Sequence, residues 1–240
     1  NFTDMKLSTT ETKEKILEGE FEGWDDIRLP FLRALKRRGY TPDAFVNYSL
    51  DVGITENDKK VSKQEFFKLV NHFNKEVVDA VANRYFFVAE PVMIKVKNAV
   101  ARDVKIELHP DFEARGYRKF KTKDEFFISQ KDYDALEDGK LNRLMDCLNF
   151  VKKGKTFMFD SQDHAVYKDA KAKGPIMHWL PADAKMIDVE VKLEDGSVLK
   201  GKGEEGMAEL VEGAIVQLER FGFCRLDKKG KKMSFWYMQR

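Results

Sequence analysis

Three groups of side chains in this sequence have the types and spacing to act on nucleotides. Near the start, Lys6-Leu7-Ser8-Thr9-Thr10 sets an ammonium beside several hydroxyls on a polar segment. Both donor types complement anionic oxygen, so such a segment can close over phosphates. In the middle, Arg118 lies between Tyr117 and Phe120, within a stretch (115–123) of five basic residues and no acid. Single-stranded bases are held by stacking on aromatic or guanidinium planes and by hydrogen bonds to their edges, and this grouping offers both. Near the end, Gln217 and Arg220 are three apart beside Phe221 and Phe223. A strand or bend there can present an amide and a guanidinium to neighbouring bases. Each group also has a plainer reading: a capped helix start, a surface or phosphate contact, and an ordinary strand pair.

The elements that must position these groups follow from periodicity. Residues 23–40, GWDDIRLPFLRALKRRGY, read as an amphipathic helix. Asp25 and Asp26 suit its positive end, Pro30 its first turn, and Arg33, Lys36, Arg37 and Arg38 its negative end, with Gly39 as the stop. Leu29, Leu32 and Leu35 share one face. Upstream, Thr10 and Thr12 are expected to cap a short helix through Lys15 and Leu17. Thr41-Pro42-Asp43 opens another helix that Gly53 ends. A third is expected from about residue 62 to 83, with Phe66, Phe67, Val70, Phe73, Val77, Val78 and Val81 as its core stripe and His72 solvated.

After Arg84 the helical period gives way to alternation. Val104, Ile106 and Leu108 alternate with Lys105 and Glu107, and Val189, Val191 and Leu193 with Asp188, Glu190, Lys192 and Glu194. Asp195-Gly196 then supplies a hairpin turn before Val198 and Leu199. Short strands punctuated by turn residues predict one or two small antiparallel barrels.

At 240 residues the chain can bury a sizeable core and hold one to three domains. It carries no apolar run of membrane-spanning length and no signal-type segment, which points to the cytoplasm and away from a membrane. Cys147 and Cys224 are far apart and suit neither a disulfide framework nor a zinc site, so both are expected in the core. The net charge of +2 conceals a division: residues 181–220 hold ten acids against five bases, whereas 225–240 hold six bases against Asp227 alone. Locally concentrated positive charge fits a chain that touches a polyanion at chosen places.

The 23–40 run resembles the GWDDPRL…LRRRG segment of class I glutamyl- and glutaminyl-tRNA synthetases, with Ile27 where that family has proline. Placed shortly before it, Lys6-Leu7-Ser8-Thr9-Thr10 resembles the family's mobile KMSKS loop, although Thr9 and Thr10 depart from the pattern. NRYFFVAEPVMIKV, IELHPDFEARGYRKF, EFFISQKDY, GPIMHWLPA and VQLERFGFCRLD resemble the successive landmarks of the family's anticodon-binding region, in the family's order. The resemblance covers essentially the whole chain and is nearest to the archaeal-type glutamyl enzymes.

The resemblance implies a multidomain α+β fold, with a helical stem-contact region followed by two antiparallel anticodon-binding β-barrels. Residues 1–20 would be the KMSKS-like loop and the end of the catalytic domain, and 21–86 the stem-contact domain. Residues 87–172 with 225–240 would form the proximal barrel, and 173–224 the distal one. Lys6 and Ser8 would serve ATP and the catalytic step; Arg118, Gln217 and Arg220 the anticodon; Arg33, Arg37 and Arg38 the tRNA backbone; and Arg225 with the lysines of 228–232 further backbone contacts.

The implied partners are tRNA(Glu), with tRNA(Gln) as a second candidate, and glutamate and ATP (with Mg) through a Rossmann half. These residues contain no H-x-G-H signature, Walker A loop or G-x-G-x-x-G motif, so the chain alone is expected to bind no cofactor and to be inactive in adenylation. No metal site is expected. His178 and Trp179 are not expected to be catalytic, because no serine, cysteine or carboxylate is placed to make the histidine a base, and the resemblance implies a structural strand of the second barrel there; His109-Pro110 reads as a strand end and turn. The alternatives are the corresponding half of a glutaminyl enzyme and a non-enzymatic barrel-type RNA-binding module.

Overall fold

The computed structural model describes residues 2–53 and 59–240. Four helices come first: α1 (Thr9–Leu17), α2 (Leu32–Arg38), α3 (Pro42–Val52) and α4 (Lys63–Asp79). None of the helices described is long and apolar enough to cross a membrane. The cap of α1 is Ser8, whose hydroxyl accepts the Glu11 N–H, and not Thr10 or Thr12. Helix α4 opens on a reciprocal Ser62–Glu65 capping box, and it ends at Asp79, before the expected residue 83. His72 is exposed on it, 3.6 Å from Glu76 one turn on.

The 23–40 segment is not one helix. Only Leu32–Arg38 is helical, closed by Gly39 in the left-handed region (φ 108°). The residues before it form a turn built around Asp26, which is wholly buried. Its carboxylate accepts the backbone N–H of Glu22 (2.9 Å) and of Arg28 (3.0 Å), and pairs with the Arg28 guanidinium at 2.7 Å. Asp26 therefore works as the hub of a turn, not as a helix-start acid. Leu29 and Leu35 are buried as expected, while Leu32 is exposed.

The rest is two seven-stranded sheets and a ribbon. The first sheet contains β1 (Asn83–Tyr85) and β2 (Phe87–Ala89) with four later strands from the end of the chain and one more hairpin partner. The second begins with β3 (Pro91–Lys97), and β4 (Arg102–Glu107) and β5 (Tyr117–Thr122) form the antiparallel ribbon. Then come β6 (Glu125–Ser129), α5 (Gln130–Asp134), β7 (Leu141–Leu144), β8 (Leu148–Lys153), β9 (Thr156–Ser161), α6 (His164–Asp169), β10 (Lys173–Met177) and β11 (Leu180–Pro181). Last are β12 (Met186–Lys192), β13 (Val198–Glu204), β14 (Ile215–Leu218), β15 (Gly222–Lys229) and β16 (Met233–Gln239). The strand orders are β1-β14-β15-β16-β12-β13-β2 and β10-β7-β8-β9-β3-β6-β11.

The two edges of the first sheet, β1 and β2, are separated in the chain by Phe86 alone, and those of the second by His178 and Trp179. Each sheet is thus brought nearly round on itself, which leaves little open edge. The β12–β13 hairpin turns at Gly196 as its sequence predicts. The sheets are mixed, however, not antiparallel throughout. β1 runs parallel to β14, β12 to β16, β3 to β9 and β10 to β7. Parallel pairs join strands linked by long connections, which local alternation does not reveal.

The division between sheets also differs from the expected domain boundaries. The strands between 91 and 181, apart from β4 and β5 of the ribbon, make the second sheet, and β16 pairs with β15 and β12 in the first, so 225–240 does not return to 87–172. Helices dock on β15 and β16: Tyr40 donates to the Met238 carbonyl, and Asn74, wholly buried, donates to Gln239 and accepts the Thr41 N–H.

Burial alone would raise the Asp26 carboxyl, but the Arg28 guanidinium and the two backbone N–H groups reverse this and hold it well below the carboxylate range. Its stabilisation is present above the ordinary aspartate pKa and is lost as pH falls through the depressed value. Asp26→Asn is expected to lower unfolding free energy by about 2–4 kcal/mol in urea titrations at pH 7, the range for a broken buried charge network. The exposed Asp25→Asn should change it by less than about 1 kcal/mol.

Candidate nucleic-acid interface

Gln217 and Arg220 meet in a cleft of about 480 Å³ between the first sheet and the ribbon, lined also by Arg84, Lys105, Tyr117 and Glu219. The parallel pairing of β1 with β14 sets Arg84 directly beside Gln217. Arg220 follows the end of β14 in a left-handed conformation (φ 60°), and the turn is held by the Glu219 N–H on Tyr85 (3.0 Å) and the Phe221 N–H on Leu218 (3.0 Å). The Gln217 Oε1 is buried without a hydrogen-bond partner among the described residues. A buried amide oxygen left unmatched destabilises, so a small rearrangement that let it accept an N–H would be favourable.

Arg84, Lys105 and Arg220 bring three positive charges to the cleft, and Glu107, Asp146 and Glu219 three negative ones. A balanced set of donors and acceptors suits base edges better than phosphates. The Lys105 ammonium also lies 3.6 Å from the centre of the Tyr117 ring. Sequence reasoning missed Arg84, Lys105 and Glu219 as cleft residues. The signal for Glu219 was its place between Gln217 and Arg220.

Arg220 reaches from the first sheet to the second, where it pairs bidentately with Asp132 of α5 at 2.9 and 3.0 Å. Asp132 is itself held by Ser129, which caps α5. His178 lies under this pair, and its pKa is pushed down to about 4 by burial and by Arg220. It is a neutral packing residue at neutral pH, and it lies between β10 and β11, not within the strand expected there.

Arg118 is placed differently from expectation. Its side chain is only 4% exposed, with Nη1 2.6 Å from Glu204 and Nη2 2.9 Å from Glu219, and its guanidinium lies 4.7 Å from the centre of the Phe86 ring. The Glu204 carboxylate also accepts the Phe86 N–H. In this geometry Arg118 faces the protein interior and does not offer its fork to a base. Alternation on β5 explains this: Arg118 shares a face with Phe120 and Thr122, while Lys119 and Lys121 point to solvent.

The helical arginines divide in the same way. Arg33 is exposed, as is Lys36. Arg37 pairs with Asp227 (2.8 Å) and Asp25 (3.0 Å) and lies over the Trp236 ring at 4.0 Å. Arg38 is buried and donates to the carbonyls of Tyr237 and Met238. These two arginines dock α2 on the first sheet, and Arg225 joins them by donating to the Arg37 carbonyl. At the other end of the chain, Lys6 and Ser8 are exposed and line a second cleft of about 240 Å³ with Lys15, Arg28 and Lys63.

Two other groups are structural. Cys147 and Cys224 are buried free thiols, and burial pushes both pKa values up, that of Cys147 to about 12. Asp79, His109 and Asp111 come close enough to suggest a metal cluster. Yet both His109 nitrogens are engaged, Nε2 with the Asp79 carbonyl (2.9 Å) and Nδ1 with the Asp111 N–H (3.1 Å).

Residues 82–173 match the family described as tRNA synthetases class I (E and Q), anti-codon binding domain. The chain is similar to proteins named glutamate–tRNA ligase. It is 36% identical over 223 residues to that of Methanosarcina barkeri, covering 92% of this chain and 38% of the relative. It is 38% identical over 226 residues to that of Pyrococcus furiosus, covering 92% and 39%. With that of Methanothermobacter thermautotrophicus it shares 36% over 237 residues, covering 98% and 40%. The chain thus spans about two fifths of the length of the curated relatives it matches.

The Arg118 cluster gives stability a pH dependence with a definite sign. Burial raises Glu204 from 4.5 to about 7 against the opposing pull of Arg118. Between these values the folded chain holds more protons than the unfolded chain, so this group makes stability fall as pH rises through that window. Glu204→Gln should flatten that part of the slope in urea midpoints measured at pH 5 and pH 7.5. Parallel slopes for the two proteins would show that Glu204 titrates normally.

Proposed function

We propose that this chain, which matches the anticodon-binding domain of class I glutamate and glutamine tRNA synthetases over residues 82–173, belongs to that family and is the tRNA-reading part of a glutamate–tRNA ligase. The observation that carries this reading is the cleft lined by Arg84, Gln217 and Arg220, where the Gln217 amide oxygen has no partner among the described residues. Gln217 and Arg220 would hydrogen-bond the edges of anticodon bases, and the exposed Lys119 and Lys121 would hold the adjoining phosphates. The two nearly closed sheets would act as the two anticodon-binding barrels, and the helices before residue 80 as the stem-contact region, with Arg33 and Lys36 on the RNA side. The relatives' printed names favour tRNA(Glu) as the partner.

The whole enzyme would join glutamate to tRNA at the expense of ATP. When ATP is bound, it supplies the activated phosphate that glutamate attacks. The exposed Lys6 ammonium would stabilise charge on that phosphate. Ser8 fits the same task, because its hydroxyl accepts the Glu11 N–H and keeps its own proton for donation.

A fluorescent stem-loop with a UUC anticodon should bind this chain with a salt slope of roughly 0.7 per phosphate contact, the single-strand value. Gln217→Ala and Arg220→Ala should each weaken binding by about 1–3 kcal/mol and relax discrimination against altered anticodons. Lys119→Ala should instead weaken all sequences alike and reduce the slope. Salt-independent binding, or indifference to the anticodon, would refute the reading.

A further inference from the structure

We infer that Arg118 is a positioning residue for the cleft: it holds the Glu219 carboxylate against the cleft wall, so that this carboxylate does not close a direct ion pair with Arg84 and the Arg84 guanidinium stays available to RNA. The inference rests on the reading of the cleft as an RNA site. Glu219 stands between Gln217 and Arg220 in the chain and lines the same cleft as Arg84. An unrestrained carboxylate there would pair with the Arg84 guanidinium and compete with a base edge for it, because opposite charges a few ångströms apart attract strongly in a partly desolvated site.

The structure restrains it at both ends. The Glu219 N–H is bonded to the Tyr85 carbonyl (3.0 Å), and its Oε1 is drawn inward to Arg118 Nη2 (2.9 Å). Arg118 is fixed in turn. Its other nitrogen, Nη1, binds Glu204 at 2.6 Å, and the Glu204 carboxylate is anchored on the Phe86 N–H. The chain of contacts Phe86–Glu204–Arg118–Glu219 thus runs from the packed interior to the cleft wall. With its side chain 4% exposed, Arg118 can act on RNA only through Glu219 in this geometry.

A double-mutant cycle on the 240-residue chain tests this, with the UUC stem-loop as the probe. Arg118→Met should weaken binding about tenfold, an ordinary size for coupled contacting residues, and Arg118→Lys should recover most of the loss. Glu219→Gln removes the competing charge, so adding Arg118→Met to it should cost less than about threefold. The salt slope should be unchanged in Arg118→Met, because no phosphate contact is removed. If Arg118→Met fails to fold, Arg118→Gln with and without Glu219→Gln carries the same comparison. A loss that is just as large in the Glu219→Gln background, or a reduced salt slope, would make Arg118 a direct contact and overturn the inference. A wild-type chain that binds no stem-loop would overturn the functional reading and the inference with it.

Discussion

The structure depends on one stretch of backbone being buried on both faces. From Tyr85 to Val88 every side chain is at most 6% exposed. Successive strand side chains point to opposite faces, so Tyr85 and Phe87 enter the core of the first sheet while Phe86 and Val88 enter that of the second. The same few residues supply both edges of the first sheet and then, through β3, a central strand of the second. Neither core can form fully without the other. The polar groups exposed by this arrangement have to be met from within, and Glu204 does so by accepting the Phe86 N–H where the chain crosses from one sheet edge to the other.

Charge in this chain joins elements more than it decorates the surface. Asp26 shapes the turn before α2, Arg37 and Arg38 fasten α2 to β15 and β16, and Arg220 links the first sheet to α5 on the second. Arginine suits these positions because its planar fork can bind a carboxylate or carbonyls in a fixed direction while it packs against rings, as Arg37 does on Trp236. Buried ion pairs add little net stability, since desolvation offsets attraction. Their effect is to make alternative dockings costly, because a misplaced helix would strand a charge.

What the sequence revealed follows from range. The helical beginning, the strand-rich remainder, the hairpin at Gly196 and the core thiols rest on local patterns, and all appear. The turn around Asp26 did not, because dipole-matched charges in residues 23–40 mimic a helix and hide an acid that folds back on Glu22 and Arg28. The parallel pairs and the return of β16 to β12 depend on contacts far apart in sequence. Two arginine placements were nonetheless within reach. Arg118 lies two residues before Phe120 on a strand, and Arg38 four after the buried Ala34 on a helix, so each is in phase with the apolar face. Reading charge without phase put both outside.

That phase relation also separates two tasks that a nucleic-acid site must perform. On β5 the outward lysines can supply non-specific attraction to phosphate, while the inward Arg118 is committed to the wall of the cleft. The cleft itself carries matched charges and an unmatched amide oxygen, so in the proposed function its contribution would be selective: it would reward a correctly disposed set of donors and acceptors and offer little to bare phosphate. On the proposed reading, the outer face of β5 would serve affinity, and discrimination would fall to the cleft whose wall its inner face supports.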